Sequence, residues 1–164
     1  MRRYPLLAGA MVIAMLQACA TYDITWQTDP TAQFSQFRTY AFGSSTEGGG
    51  SDLQKRQFHY WVRETVKAEM AKHGIQETTD RTPDLLVSYR AGIGFQSGWT
   101  ALDPDVPDKG TMVLEMLSTS KADVVWQATA VADVEQSATE EERQSLIKKV
   151  VQAMFSKFPP GQSK

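Results

Sequence analysis

An apolar stripe that repeats every three or four residues is the feature that most constrains the fold of this 164-residue chain. It follows Asp52, which suits the N-cap position of a helix, and it extends over about twenty residues. Gly74 ends it, because glycine readily takes the left-handed conformation at the C′ position, and the apolar Ile75 then folds back. The stripe comprises Phe58, Trp61, Val62, Thr65, Val66, Glu69 and Met70.

A second stripe of the same kind lies near the end of the chain. Thr139 and Glu142 form a capping box at its start, and Phe158-Pro159-Pro160 stops it. Its apolar members are Leu146, Ile147, Val150, Val151, Met154 and Phe155. Two helices that are each apolar on one side need a common surface to cover, and one face of a β-sheet provides it.

Strand-like segments supply that sheet. Tyr22, Ile24 and Trp26 alternate with polar residues, which predicts a strand that starts near Tyr22. A second strand is predicted at residues 37–42, ended by Gly43, and a third begins with Leu85-Leu86-Val87. Because those three residues are all apolar, we expect the third strand to be buried on both faces and central. Residues 111–117 and 124–134 predict an antiparallel hairpin.

The element order is therefore β-β-α-β-β-β-α. It predicts an α+β two-layer sandwich, with a mixed or antiparallel sheet of about five strands and both amphipathic helices on one face. The length and the 41% hydrophobic content suit one globular domain, which we place at residues 22–160, with residues 161–164 as a C-terminal tail. Trp26, Trp61 and Trp126 lie in regular elements and are expected in the core.

The N-terminal residues have the plan of a bacterial secretory signal. Arg2 and Arg3 precede an apolar run at residues 6–16, which is too short to span a hydrocarbon core of roughly 30 Å. The next residues, Leu16-Gln17-Ala18-Cys19, resemble the lipobox of bacterial lipoproteins. We therefore expect residues 1–18 to be a signal peptide, cleaved between Ala18 and Cys19, and Cys19 to be acylated, which anchors the chain in a membrane.

The residue after the cysteine, Ala20, favours the outer membrane, because retention in the inner membrane typically needs Asp there. We expect the chain in the cell envelope, on the periplasmic leaflet of the outer membrane. Residues 19–21 form a short tether that reaches about 10 Å, since a residue spans roughly 3.4 Å at most. The domain is thus expected to lie close to its leaflet.

Net charge argues against nucleic acid as a partner. The whole chain has a formal charge of −2, and loss of Arg2 and Arg3 with the signal peptide leaves 15 basic residues against 19 acidic ones, or −4. Lysine and arginine are scattered, whereas binding to phosphates needs a basic stripe.

Residues suited to catalysis or metal binding are few. His59 and His73 are about 21 Å apart on one helix at 1.5 Å per residue, so they cannot share a metal ion, and solvated or capping roles suit them better. No serine lies in a Gly-x-Ser-x-Gly elbow. Asp103, Asp105 and Asp108 fit a solvated loop better than a weak calcium site. We expect no enzymatic activity, no catalytic residue, no metal and no cofactor.

Five motifs in order resemble the bacterial lipoproteins that carry domain of unknown function 4136. They are QFSQFRTYAF (residues 33–42), KHGI (72–75), PDLLVSY (83–89), VWQA (125–128) and FPP (158–160). The resemblance covers about residues 22–160. It implies an envelope location and a fold, and it supplies no activity and no catalytic residues.

Two functions remain open. Phe95, Gly98 and Trp99 lie in a stretch rich in glycine and aromatic residues, which is a candidate binding lip, although the two rings also suit one end of the core. The first hypothesis is a non-enzymatic, protein-binding or envelope-organising module whose partner is an unknown envelope protein. The alternative is a carrier of a small apolar or lipid-like ligand between the helices and the sheet.

Overall fold

A computed structural model describes residues 22–47, 51–93, 108–135 and 137–158. The strands are β1 (Tyr22–Thr28), β2 (Thr39–Phe42), β3 (Thr46–Glu47), β4 (Gln76–Glu77), β5 (Leu85–Ile93), β6 (Asp108–Ser118) and β7 (Asp123–Val134). The helices are α1 (Asp52–Lys72) and α2 (Glu140–Phe155), and a single 3-10 turn covers Phe34–Gln36.

The α+β fold class is confirmed, and the sheet is mixed. Its strands lie in the order β1-β7-β6-β5-β2-β4, and β3 pairs with β5 beyond the end of β2. The pairs β1–β7, β7–β6 and β6–β5 are antiparallel, whereas β2 and β3 run parallel to β5. The described residues thus give seven strands where about five were predicted. The two additional strands, β3 and β4, have two residues each, which is too short for any alternation to show in the sequence.

Both helices begin in a capping box. In α2 it joins Thr139 and Glu142, as predicted. In α1 the N-cap is Ser51 rather than Asp52, because the Ser51 hydroxyl accepts from the backbone N–H of Gln54 while the Gln54 side chain accepts from the Ser51 N–H. The prediction was wrong by one residue, since serine and aspartate both suit this position.

The predicted end of α1 is confirmed. Gly74 has a φ of 73°, the Gly74 N–H donates to the Ala71 carbonyl at 3.0 Å, and the Ile75 N–H donates to the Met70 carbonyl at 3.1 Å. These two bonds define a Schellman motif, and Ile75 is buried beneath the end of the helix.

The two helices run parallel over one face of the sheet. At their N-terminal ends the Gln57 amide donates to the Glu140 carboxylate at 2.7 Å, and at their C-terminal ends the His73 ring stacks on Phe155. Both apolar stripes face the sheet, where their central positions are buried: Val62, Val66, Glu69 and Met70 on α1, and Val150, Val151, Met154 and Phe155 on α2.

Two expectations about burial are wrong. Leu85, Val87 and Tyr89 are buried while Leu86 and Ser88 are only partly buried, so β5 is central in the sheet but covered fully on one face only. Trp126 is fully buried, but Trp26 is 47% exposed, because β1 is an edge strand; the Lys157 ammonium, just beyond α2, lies 4.9 Å from the centre of the Trp26 ring. Trp61 is partly buried.

Several predictions fall outside the described residues. Ala18, Cys19 and the tether precede Tyr22, and Phe95, Gly98 and Trp99 lie between β5 and β6. Among the helices that are described, neither is long and apolar enough to cross a bilayer.

Candidate functional site

A cleft of about 700 Å³ lies between the two helices and one end of the sheet. Its walls come from the N-terminal halves of α1 and α2, and its floor from the ends of β5, β6 and β7. This volume falls within the range of about 300–1,000 Å³ that is usual for sites of small ligands.

The cleft exists because its floor is made mostly of small residues. On the face that the helices cover, Ala91 of β5, Gly110 and Met112 of β6, and Ala130 and Ala132 of β7 lie side by side in register. We call this end of the helix-sheet interface the hollow half. Short side chains cannot reach the helices above them, so space remains between the two layers.

The other end of the same interface is filled. It is formed by Leu85, Val87 and Tyr89 of β5, Leu114 and Met116 of β6, and Trp126 and Ala128 of β7, which are all at most 2% exposed. We call it the packed half. Trp126 and Phe155 pack there with Phe158, their ring centroids 5.4 to 6.0 Å apart.

Apolar side chains of the two stripes form the walls of the cleft. Phe58 and Trp61 line it from α1, and Leu146, Ile147 and Val150 line it from α2. Of these five, only Val150 is buried, and the other four are partly buried because they border the cleft rather than the sheet. The stripes were predicted from spacing, and spacing alone could not show that half of each stripe would remain uncovered.

Gly110 has a specific steric role in the floor. A Cβ atom at this position would lie 2.6 Å from Cγ2 of Val134, on the neighbouring strand. Since real Cβ atoms do not approach so closely, a larger residue would displace the Val134 side chain, which itself lines the cleft. Glycine at position 110 therefore lets the Val134 side chain of β7 lie over β6.

The ionisable groups of the cleft lie on its rim. Glu47, Lys55, Glu135, Glu140 and Arg143 line it, together with Gln54 and Gln57. The hydrogen bond from Gln57 to Glu140 crosses from one helix to the other.

A chain of polar side chains runs beside the α1 wall. The Glu47 carboxylate contacts Nε2 of His59, and Nδ1 of His59 lies 2.6 Å from the Tyr89 hydroxyl. In the neutral ring that donates from Nε2 to the carboxylate, Nδ1 accepts from the Tyr89 O–H. Burial raises the pKa of Tyr89 above its ordinary value. His59 was expected to be solvated or capping; its side chain is partly exposed, and its contacts join β3 and β5 to α1.

The arrangement suits apolar binding better than bond-breaking chemistry. Tyr89 is 2% exposed and Glu47 and His59 engage each other, so none of the three presents a free reactive atom to the cleft. Within the described ranges no three histidine, cysteine or acidic side chains are close enough together to hold a metal ion. His73 lies at the far end of α1, where burial against Phe155 and Phe158 lowers its pKa.

The structure therefore places the candidate site on residues to which the sequence analysis gave no binding role. Small residues at every second position of β7, Ala128, Ala130 and Ala132, were a signal in the sequence that the sheet is poorly filled there. The signal is ambiguous, because alanine is also common under closely packed helices, as at Ala128.

A match to a family model shows the family of the chain. The model for a domain of unknown function, DUF4136, matches residues 24–160. The chain belongs to this family. The resemblance seen in the five motifs is thus confirmed. No relative was found among curated proteins.

Two solved structures have the same fold at low sequence identity. A PDZ domain protein from Parabacteroides distasonis is 15% identical over 88% of this chain, with a TM-score of 0.62, and this chain spans 36% of its length. The PelC dodecamer from Paraburkholderia phytofirmans is 12% identical over 83% of this chain and 96% of its own, with a TM-score of 0.52. A minor lipoprotein from Acinetobacter baumannii is also among the similar chains, 8% identical over 74% of this chain and 91% of its own, with a TM-score of 0.39.

Proposed function

We propose that this DUF4136 protein is a lipid-anchored, non-enzymatic protein of the bacterial cell envelope that carries a small apolar ligand in its cleft. The observation that supports the proposal is the hollow half itself. Its floor is formed by Ala91, Gly110, Ala130 and Ala132, and its walls by apolar side chains. Binding of an apolar molecule in an apolar cleft is favourable by roughly 25 cal/mol for each Å² of apolar surface that is removed from water.

The proposed anchor is an acylated Cys19 in the periplasmic leaflet of the outer membrane. The lipobox-like residues 16–19 and the following Ala20 support this location. The start of β1 at Tyr22, three residues after the cysteine, would keep the domain close to the leaflet. With two or more acyl chains such an anchor is stable, because a single chain gives only marginal binding.

Native mass spectrometry of the full acylated chain, released from detergent, tests the carrier function. We expect the wild-type protein to retain a ligand of small-molecule mass. Ala132→Leu, which places a larger side chain in the cleft, should abolish this adduct. Val131→Leu places the same leucine side chain on the opposite face of β7, away from the cleft, and should leave the adduct unchanged. A wild-type protein without an adduct, or an adduct that Ala132→Leu preserves, contradicts the proposal.

A second candidate is the protein-binding module, which the uncovered face of the sheet favours. No described element covers this face, where Val113, Leu117 and Val131 lie beside the ion pair of Arg90 and Glu115 at 2.7 Å. The similarly folded PelC is a dodecamer, which makes a second copy of this chain one partner to test. A photoreactive residue at Val113 should then crosslink to a polypeptide in the living envelope, whereas one at Tyr60, exposed on α1, should not.

A further inference from the structure

The charges on the rim of the cleft narrow the chemistry of its ligand. Five ionisable residues line it, and two of the three acidic ones are engaged: Glu47 by His59, and Glu140 by the amide of Gln57. The third, Glu135, is exposed and remains hydrated. The carboxylates of the rim are therefore already compensated by a partner or by water.

Lys55 differs from them. It lines the cleft on the α1 side and is partly buried, yet its ammonium makes no ion pair or hydrogen bond with any residue in the described part of the chain. An anion that reaches this side of the cleft would therefore meet a positive charge that no carboxylate in the described part of the chain already compensates. Lys67, farther along α1, is by contrast paired with Glu77, and neither of these two residues lines the cleft.

We infer that the ligand of the cleft is a long-chain fatty acid, whose acyl chain lies in the hollow half and whose carboxylate pairs with Lys55 at the rim. The inference rests on the proposed carrier function and adds the identity of the ligand class. The cleft is large enough for an acyl chain, and a charge-assisted bond from Lys55 gives the unpaired ammonium its counter-ion. A cationic head group would instead face Lys55 with a like charge.

The position of the cleft agrees with a ligand taken from a membrane. Tyr22, the first residue of β1, pairs with Ala132, which lies in the floor of the hollow half. The cysteine proposed to carry the anchor precedes Tyr22 by three residues, or about 10 Å of chain. This end of the domain is therefore the one held close to the leaflet, where fatty acids dissolve.

Photo-crosslinking tests the inference on the full acylated chain in phospholipid nanodiscs at pH 8. The probes are diazirine-bearing palmitate and diazirine-bearing hexadecanol, which share the chain and differ in the head group. Mass spectrometry of the digested protein locates the label. We expect palmitate to label residues of the cleft, such as Met112 and Ile147, about tenfold more than hexadecanol does, since a hydrogen bond to a charged group contributes on this scale.

Two variants of α1 separate the head group from the chain. Lys55→Gln should lower palmitate labelling about tenfold, to the level of hexadecanol, and Lys67→Gln should leave it unchanged. If both probes label the cleft equally and Lys55→Gln has no effect, the ligand is not a fatty acid. The proposal that the cleft carries an apolar ligand would then still hold. If neither probe labels the cleft, the fatty acid and the carrier function are both wrong.

Discussion

The two halves of the helix-sheet interface use the same strands and the same helices, and they differ in the size of their side chains. In the packed half Leu114 and Trp126 fill the space between the layers, whereas in the hollow half Gly110 and Ala132 leave it open. Dense packing at one end holds the two layers together. The other end can then remain open without loss of the fold, because stability is not distributed uniformly through a domain.

The largest expected difference between the halves comes from matched leucines. Leu114→Ala should lower the free energy of unfolding by about 3 kcal/mol, because Leu114 is fully buried and its removal creates a cavity. Leu146→Ala should cost only about 1 kcal/mol, because Leu146 is partly buried and already borders open space. Urea unfolding followed by tryptophan fluorescence measures both. Equal losses would mean that the hollow half is packed in solution.

Matched alanines on β7 give the next effect. Ala128→Leu should destabilise the protein by about 2 kcal/mol, because Ala128 is fully buried in the packed half and added bulk forces its neighbours apart. Ala132→Leu, four residues along the same face, should change stability by less than about 1 kcal/mol, since Ala132 lines the cleft, which accepts the larger side chain. The comparison fails if Ala132→Leu is the more damaging of the two.

A carboxylate ties β2 to β5 at the packed end. Asp84 accepts from the backbone N–H groups of Arg38 and Thr39, at 2.8 and 2.9 Å, and the bond from Arg38 chiefly lowers its pKa below the ordinary 3.8. Because the folded pKa lies below the unfolded one, this stabilisation is present above about pH 4 and is lost as pH falls through the folded value.

Asp84→Asn should therefore cost about 1.5 kcal/mol at neutral pH and less in acid. Urea unfolding at neutral pH and below about pH 4 measures the difference. Ligand retention in the hollow half should not change. A loss of stability that is independent of pH would show that the charge of Asp84 contributes nothing.

The smallest effect is expected at the rim. Gln57→Ala removes the hydrogen bond to Glu140 that crosses between the helices, and because Glu140 is exposed the loss should be at most about 0.5 kcal/mol. Ligand exchange should become faster, since the bond spans the edge of the cleft. Stopped-flow release of a fluorescent fatty acid measures this rate, and unchanged release would show that the bond does not hinder the ligand.

Local signals explain which elements could be predicted from the sequence. The Thr139 capping box, the Gly74 stop and the two helical stripes each act within a few residues, and the structure has all of them. The β6–β7 hairpin could be predicted equally well, because a short polar turn joins its strands. These features depend on neighbours in the sequence, so no knowledge of the tertiary fold was needed.

Features that depend on distant neighbours could not be predicted in the same way. Trp26 was expected in the core, but its exposure follows from the place of β1 at the edge of the sheet, beside β7. His59 finds Glu47 and Tyr89 only through the fold. The cleft likewise requires the alignment of small residues on three strands, which no single segment reveals.

Methyl NMR of the full chain in nanodiscs, titrated with a long-chain fatty acid, tests the difference between the halves most directly. Met112 and Ala130 lie in the hollow half, and Met116 and Ala128 are their counterparts in the packed half. We expect the methyl signals of Met112 and Ala130 to shift with saturation at one equivalent of bound ligand, while those of Met116 and Ala128 stay in place. Shifts that are equal in both halves, or absent from both, would contradict a binding site in the hollow half.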